Sequence, residues 1–219
     1  MLNSPRAEIT PAATATQELA SWRRVGIAAG LVACLSYPIM VFVPLPRLAT
    51  LLLASGFGPA LAIASLGLAG VLGADGRRTT VQVAALCNAL AGALVTAMLI
   101  VQLAVRWSTA PAADAALAQT IKRHLWDVQN GLDVAFDIFI GLGTLFFALR
   151  MIRDRRFGKL VGVLGAFIGA VMLIGFNLYG FPELPRNAGL VDPGPITGLW
   201  YLVVTVLMMR VRAGSDAGG

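Results

Sequence analysis

The feature that most constrains this chain is a set of five long runs that contain no Asp, Glu, Lys or Arg. The runs cover 25–45, 48–72, 81–105, 160–182 and 193–209. A helix needs about 20 apolar residues to cross about 30 Å of hydrocarbon, and each run is near or above that length. With 58% hydrophobic and 13% charged residues, a water-soluble fold of 219 residues could not bury its apolar side chains. The sequence therefore predicts membrane-spanning helices.

A sixth apolar run differs from the others because it carries Asp133 and Asp137. We predict an all-α polytopic membrane protein, a bundle of six transmembrane helices within 22–212. The predicted spans lie at about 25–45, 48–72, 81–105, 128–149, 160–181 and 194–210. Residues 1–21 show no clear apolar periodicity and are predicted to form a disordered cytoplasmic tail, with a second cytoplasmic tail at 213–219.

The basic residues predict the orientation of the bundle. If the amino terminus is cytoplasmic, the outside segments hold five basic residues and the inside segments hold the other twelve of the 17. The outside five are Arg47, Arg106, Lys122, Arg123 and Arg186. Short loops with more Lys and Arg stay inside, so both termini are predicted in the cytoplasm of a bacterial cell, with the protein in its cytoplasmic (inner) membrane.

The net charge of +6 follows from the same loops. The predicted partner is the lipid bilayer, because basic loops at the inner surface attract anionic lipid headgroups. The loops lack interleaved aromatic residues, so no binding of nucleic acid is predicted. A membrane-protein partner or a homo-oligomer is also compatible with the sequence.

Polar side chains of the fourth span share one face. At 100° per residue, the residues that project within a stripe of about 80° are Trp126, Asn130, Asp133, Asp137, Gly141 and Thr144. An ionisable group inside a bilayer costs about 2.5 to 3.5 kcal/mol, so this face must look into the bundle or a watery cavity. Other spans carry polar residues at a similar depth. The candidate polar site comprises Asp133, Asp137, Asn130, Asn177, Gln102, Tyr37 and Tyr179. Arg106 and Arg186 are its predicted counterions.

Two interpretations of this site stay open. The polar groups can be hydrogen bonds between helices and anchors at the membrane surface. They can also hold a proton, an ion or a small solute, because two carboxylates one turn apart can exchange a proton. The single histidine, His124, and the two cysteines, Cys34 and Cys87 inside the first and third spans, do not assemble a zinc site. The sequence predicts no cofactor, no metal site and no catalytic residue.

Three segments resemble a known type of protein. They are Gly131-Leu-Asp-Val-Ala-Phe-Asp137, Arg156-Phe-Gly-Lys-Leu-Val-Gly162 and Gly198-Leu-Trp-Tyr201. In its second half the chain resembles uncharacterised bacterial six-helix integral membrane proteins of the domain-of-unknown-function type, and this resemblance implies the fold without an activity. We expect a multi-pass inner-membrane protein that binds or passes a proton, ion or small solute. The alternative is a structural or accessory subunit that binds another membrane protein, and an intramembrane enzyme is third.

The topology can be tested with reporter fusions. Because basic residues concentrate in alternate loops, fusions at Gly76, Arg155 and Gly214 should report the cytoplasm. Fusions at Ala113 and Asn187 should report the outside. Alkaline phosphatase and a fluorescent protein, active on opposite sides of the membrane, provide the paired measurement. An outside signal at Arg155 would contradict the arrangement.

Overall fold

The computed structural model describes residues 11–73, 78–107, 115–181 and 192–211. Within these ranges the chain is 91% helical and contains no strand, which confirms the predicted all-α class. The helices are α1 Pro11–Phe42, α2 Arg47–Leu72, α3 Arg78–Trp107, α4 Ala115–Met151, α5 Lys159–Phe167, α6 Phe176–Gly180 and α7 Gly194–Arg210. A π-helical segment, Ile168–Gly175, joins α5 to α6 without a break.

In the part of the chain that the structure describes, five helical stretches are long and apolar enough to cross a membrane. They are Ala20–Phe42, Arg47–Leu72, Arg78–Trp107, Leu117–Met151 and Lys159–Gly180. The sixth predicted span corresponds to α7, which is also apolar. It has only 17 residues, about 25 Å of helix. The fold is therefore that of a multi-pass helical bundle with one shorter member.

The helix boundaries differ from prediction mainly at the amino-terminal end. Helix α1 begins at Pro11, so part of the predicted disordered tail is helical. A helix that simply extends a membrane span needs no apolar periodicity of its own, which is why the sequence pattern does not reveal it. A cap at Ser108 or Thr109 with Pro111 in the first turn predicts a short helix that leads into the fourth span, and α4 accordingly begins at Ala115, before the span itself. Residues 1–10 and 213–219 of the predicted tails lie outside the described residues.

Consecutive helices pack side by side from α1 to α5, and α7 packs against α1 and touches α5. Glycines allow the closest approaches. A Cβ atom on Gly92 of α3 would lie 2.5 Å from the carbonyl oxygen of Gly58 of α2, and one on Gly169 would lie 2.6 Å from that of Gly141 of α4. Small residues at these positions let the backbones meet, as is typical of membrane helix pairs.

Two arginines near the end of α4 cap the carboxyl end of α2. The Nε atom of Arg150 donates to the carbonyl of Leu72 at 3.2 Å, and Nη2 of Arg156 donates to the carbonyl of Val71 at 3.0 Å. These carbonyls have no partner within the helix, and cations also suit its negative end. The buried carboxylate of Asp154 holds Arg156 in place, because it accepts from Nη2 at 2.8 Å and from the backbone N–H at 2.9 Å.

The Asp154 contacts predict an acid-dependent stability. Burial raises the pKa of Asp154, but the hydrogen bonds and charge of Arg156, together with the charge of Arg150, lower it below its ordinary value of 3.8. The stabilisation is therefore fully present above about pH 4 and is lost as the pH falls further. Asp154→Asn should lower the free energy of unfolding at pH 7 by about 2 kcal/mol.

Thermal unfolding in detergent at pH 7 and at pH 3 measures this effect. Asp154→Asn should lose less stability between the two pH values than the wild type does, because the variant has no carboxylate to protonate at this position. The control is Asp127→Asn, which removes an exposed carboxylate 3.7 Å from His124. Equal effects of the two substitutions would contradict the role of Asp154.

Candidate functional site

Helix α4 carries its polar stripe into the interior of the bundle. Asp137 and Thr144 are buried, and Asp133 and Asn130, nearer the amino-terminal end of α4, are partly buried. Trp126, at the amino-terminal end of the stripe, is exposed. The polar face is therefore driest in its inner part, where a charged or unpaired group is most costly.

The centre of the site is a hydrogen bond between Asp137 and Asn177. The Nδ2 atom of Asn177 donates to Oδ2 of Asp137 and to the carbonyl oxygen of Leu173, each at 2.8 Å. Only 5% of Asp137 and 1% of Asn177 is exposed. The Leu173 carbonyl can only accept, so it fixes which end of the amide is Nδ2. The other end, Oδ1 of Asn177, is buried without a hydrogen-bond partner.

The π-helical segment positions Asn177. The backbone N–H of Phe176 bonds to the carbonyl of Val171, five residues earlier, which is the wider winding of a π-helix. This winding changes the direction in which the next residues project compared with a continuous α-helix. Gly169 of the same segment meets Gly141, one turn beyond Asp137 on α4, and keeps the two helices close. The sequence gives no signal for this winding.

Other acidic groups surround Asp137. The charges of Asp133, one turn toward the outer end, and of Asp192, just before α7, act on Asp137. Tyr37 of α1 lies within electrostatic reach of Asp133 and Asp192. Among the described residues, neither Asp133 nor Asp137 forms an ion pair with a basic side chain. The site is thus an acidic region with no described counterion.

The prediction that Arg106 is a counterion of Asp133 and Asp137 is wrong. Its side chain is exposed near the carboxyl end of α3. The neighbouring Trp107 stacks with Arg47, whose guanidinium carbon lies 5.8 Å from the ring centroid. Arg106 forms no ion pair with Asp133 or Asp137. The other predicted counterion, Arg186, lies outside the described residues.

The structure brings some predicted site residues together and separates others. Tyr179 is 75% exposed, because it follows Asn177 by two residues and so projects about 200° away from it. Tyr37 is half exposed. Gln102 of α3 is partly buried and forms no hydrogen bond with Asp133 or Asp137. The site is therefore Asp137 and Asn177, with Asp133 and Asp192 nearby, and Tyr179 does not belong to it.

A second polar cluster lies deeper in the bundle and joins four helices. Nδ2 of Asn88 on α3 donates to Oγ of Ser65 on α2 and to the hydroxyl of Tyr201 on α7, each at 2.8 Å. The Tyr201 hydroxyl also lies 2.9 Å from Oγ1 of Thr144 on α4. We call Ser65, Asn88, Thr144 and Tyr201 the neutral cluster. The sequence shows that these residues are polar and lie within spans, but it does not show that they meet.

Tyr201 is the hub of the neutral cluster, so removing its hydroxyl should destabilise the bundle. Tyr201→Phe leaves Thr144 and one donor of Asn88 without a partner, at a cost of about 1 to 3 kcal/mol. The matched control is Tyr179→Phe, whose hydroxyl is exposed. Thermal unfolding of the two purified variants compares them, and an equal melting temperature would contradict the role of Tyr201.

Comparison with known proteins finds no matching protein-family model, no matching curated protein and no matching solved structure. The resemblance in the second half of the chain stays a prediction. The two polar clusters are therefore the features of the described residues from which a function can be inferred.

Proposed function

We propose that this chain is a six-span protein of a bacterial cytoplasmic membrane that binds or passes a proton, an ion or a small solute through the polar face of α4. Both termini are cytoplasmic in this proposal, as the twelve-to-five distribution of basic residues supports. The polar face consists of Asp133 and Asp137 with Asn177 as the partner from α6.

The position of α7 supports an even number of crossings. The guanidinium of Arg23 donates to the carbonyl of Val211, so the carboxyl end of α7 lies beside the amino-terminal part of α1. Six crossings put these two ends on the same side of the membrane, whereas five would separate them. The shortness of α7, about 25 Å, is compatible with a thinner or locally adapted bilayer.

The hydrogen bond from Asn177 to Asp137 is the observation that carries the proposal. A bundle that needs only rigid contacts between helices is served by neutral groups, as in the neutral cluster. A carboxylate at such a site adds a large cost of desolvation, and no described basic side chain reduces it. The property that an acid has and an amide lacks is exchange of a proton or binding of a cation. We propose that Asp137 is retained for this property.

The alternative is a structural or accessory subunit that binds another membrane protein. One observation favours it. Helix α1 is the least buried of the long spans, with 22% of its window buried against 50% for α3. Its exposed apolar residues include Val32, Leu35 and Val41. A partner helix could cover them, although lipid chains satisfy the same surface.

Infrared spectroscopy of Asp137→Asn separates the two functions. Asn has the size of Asp, and its amide oxygen can still accept from Asn177, so the variant should fold. If Asp137 exchanges a proton or a cation, the wild type should show a carboxyl band that responds to pH and is missing in the variant. The control is Asp127→Asn on the same helix, which should keep that band.

The opposite outcome is equally clear. If no band missing in Asp137→Asn responds to pH or to an added ion, and the melting temperature is unchanged, Asp137 is only a hydrogen-bond partner. The accessory-subunit function would then replace the present proposal.

A further inference from the structure

The amide oxygen of Asn177 is the least explained polar atom of the site. It is buried and has no hydrogen-bond partner, although leaving a buried acceptor unpaired costs about 1 to 3 kcal/mol. Rotating the amide does not help, because Nδ2 would then leave both Leu173 and Asp137. The unpaired Oδ1 of Asn88 differs, since it packs directly on Gly143, where a Cβ atom would overlap it.

Covalent geometry places the unpaired oxygen next to a carboxylate. The oxygen and nitrogen of an amide lie about 2.3 Å apart. Since Nδ2 of Asn177 is 2.8 Å from Oδ2 of Asp137, Oδ1 of Asn177 lies at most about 5 Å from that carboxylate oxygen. Two oxygens that bind one hard cation at about 2.4 Å each can be as far apart as about 4.8 Å. The upper bound on the spacing of this pair is therefore close to the widest spacing that a single ion can bridge.

The chemistry of the surroundings favours a cation. Every unsatisfied group at the site is an oxygen acceptor, and the nearest charges, on Asp133 and Asp192, are negative. The α3 residues that cluster with Leu132 and Phe136 of α4 are apolar, among them Val95 and Leu99. Tyr37 is within electrostatic reach of Asp133 and Asp192. A site of this composition attracts positive charge and offers little to an anion.

The charge of the ligand follows from a further observation. No three His, Cys, Asp or Glu side chains come together in the described residues, whereas divalent cations favour several anionic ligands. A monovalent ion fits better.

We infer that Asp137 and Oδ1 of Asn177 form a binding site for a monovalent hard cation of the sodium class. The inference rests on the proposed function and names its ligand. The ion enters as Asp137 releases its proton, so the site exchanges one positive charge for another and its net charge does not change. Asp133 and Asp192 line the outer approach, and the π-helical segment holds Asn177 in register with Asp137.

The test measures the melting temperature of the purified full chain in sodium chloride and in choline chloride at equal ionic strength and pH 8. A ligand that binds only the folded state raises the melting temperature. At sodium concentrations tenfold above the dissociation constant, the rise should be about 3 to 6 °C. Asp137→Asn and Asn177→Leu should each lose this rise, and the control Asp127→Asn should keep it.

A measurement on the wild type covers the case in which a variant does not fold. Infrared difference spectra between sodium and choline should show a protonated carboxyl band replaced by a carboxylate band and a shift of an amide carbonyl band. A sodium effect that persists in both site variants would overturn the inference, and so would a wild type whose melting temperature and spectrum ignore sodium. If the wild type ignores sodium but shows a pH-responsive carboxyl band that Asp137→Asn lacks, the proposed function stands with a proton as its ligand. If the wild type shows no such band, both proposals are wrong.

Discussion

The fold depends on one constraint, that a polar group inside the bundle must find its partner within the protein. Hydroxyl groups on the helices meet it locally, as when Thr205 donates to the carbonyl of Tyr201 one turn earlier. At the carboxyl end of α2 the last carbonyl groups have no N–H partner in a following turn. Arg150 and Arg156 donate hydrogen bonds to them. The helix contacts at Gly58 and Gly92 matter for the same reason, because only close backbones let short polar side chains reach across.

The two polar clusters satisfy this constraint in different ways. The neutral cluster uses one amide and three hydroxyls from four helices, carries no ionisable carboxylate, and leaves one acceptor unpaired, Oδ1 of Asn88, which packs against Gly143. The pair of Asp137 and Asn177 leaves an acceptor unpaired and an acid without a described counterion. Groups of the first kind fix the positions of α2, α3, α4 and α7. In the proposed function, a proton or a cation completes a pair of the second kind.

The sequence predicted the class of fold well, because long uncharged runs have few other physical solutions. It also predicted that Asp137 lies on a polar face with Asn130 and Thr144, since helical periodicity alone determines which residues share a face. The contact between Asn177 and Asp137 could not be predicted from the sequence. It depends on the π-helical winding from Ile168 to Gly175, and the residues of this segment show no pattern that distinguishes it from an α-helix. Depth alone grouped Tyr179 with the site, and depth does not say which way a side chain projects.

The relative position of the two clusters bears on binding and passage. Asp137 is one turn inward from Asp133, and Thr144 of the neutral cluster lies two further turns inward, about 10 Å along α4. Ile140 and Phe147, both fully buried, fill the space near these polar residues. In the proposed orientation and function, an ion from the outer side approaches Asp137 past acidic groups. A path to the inner side must cross apolar side chains and the neutral cluster, so passage would require the contacts of Tyr201 to open.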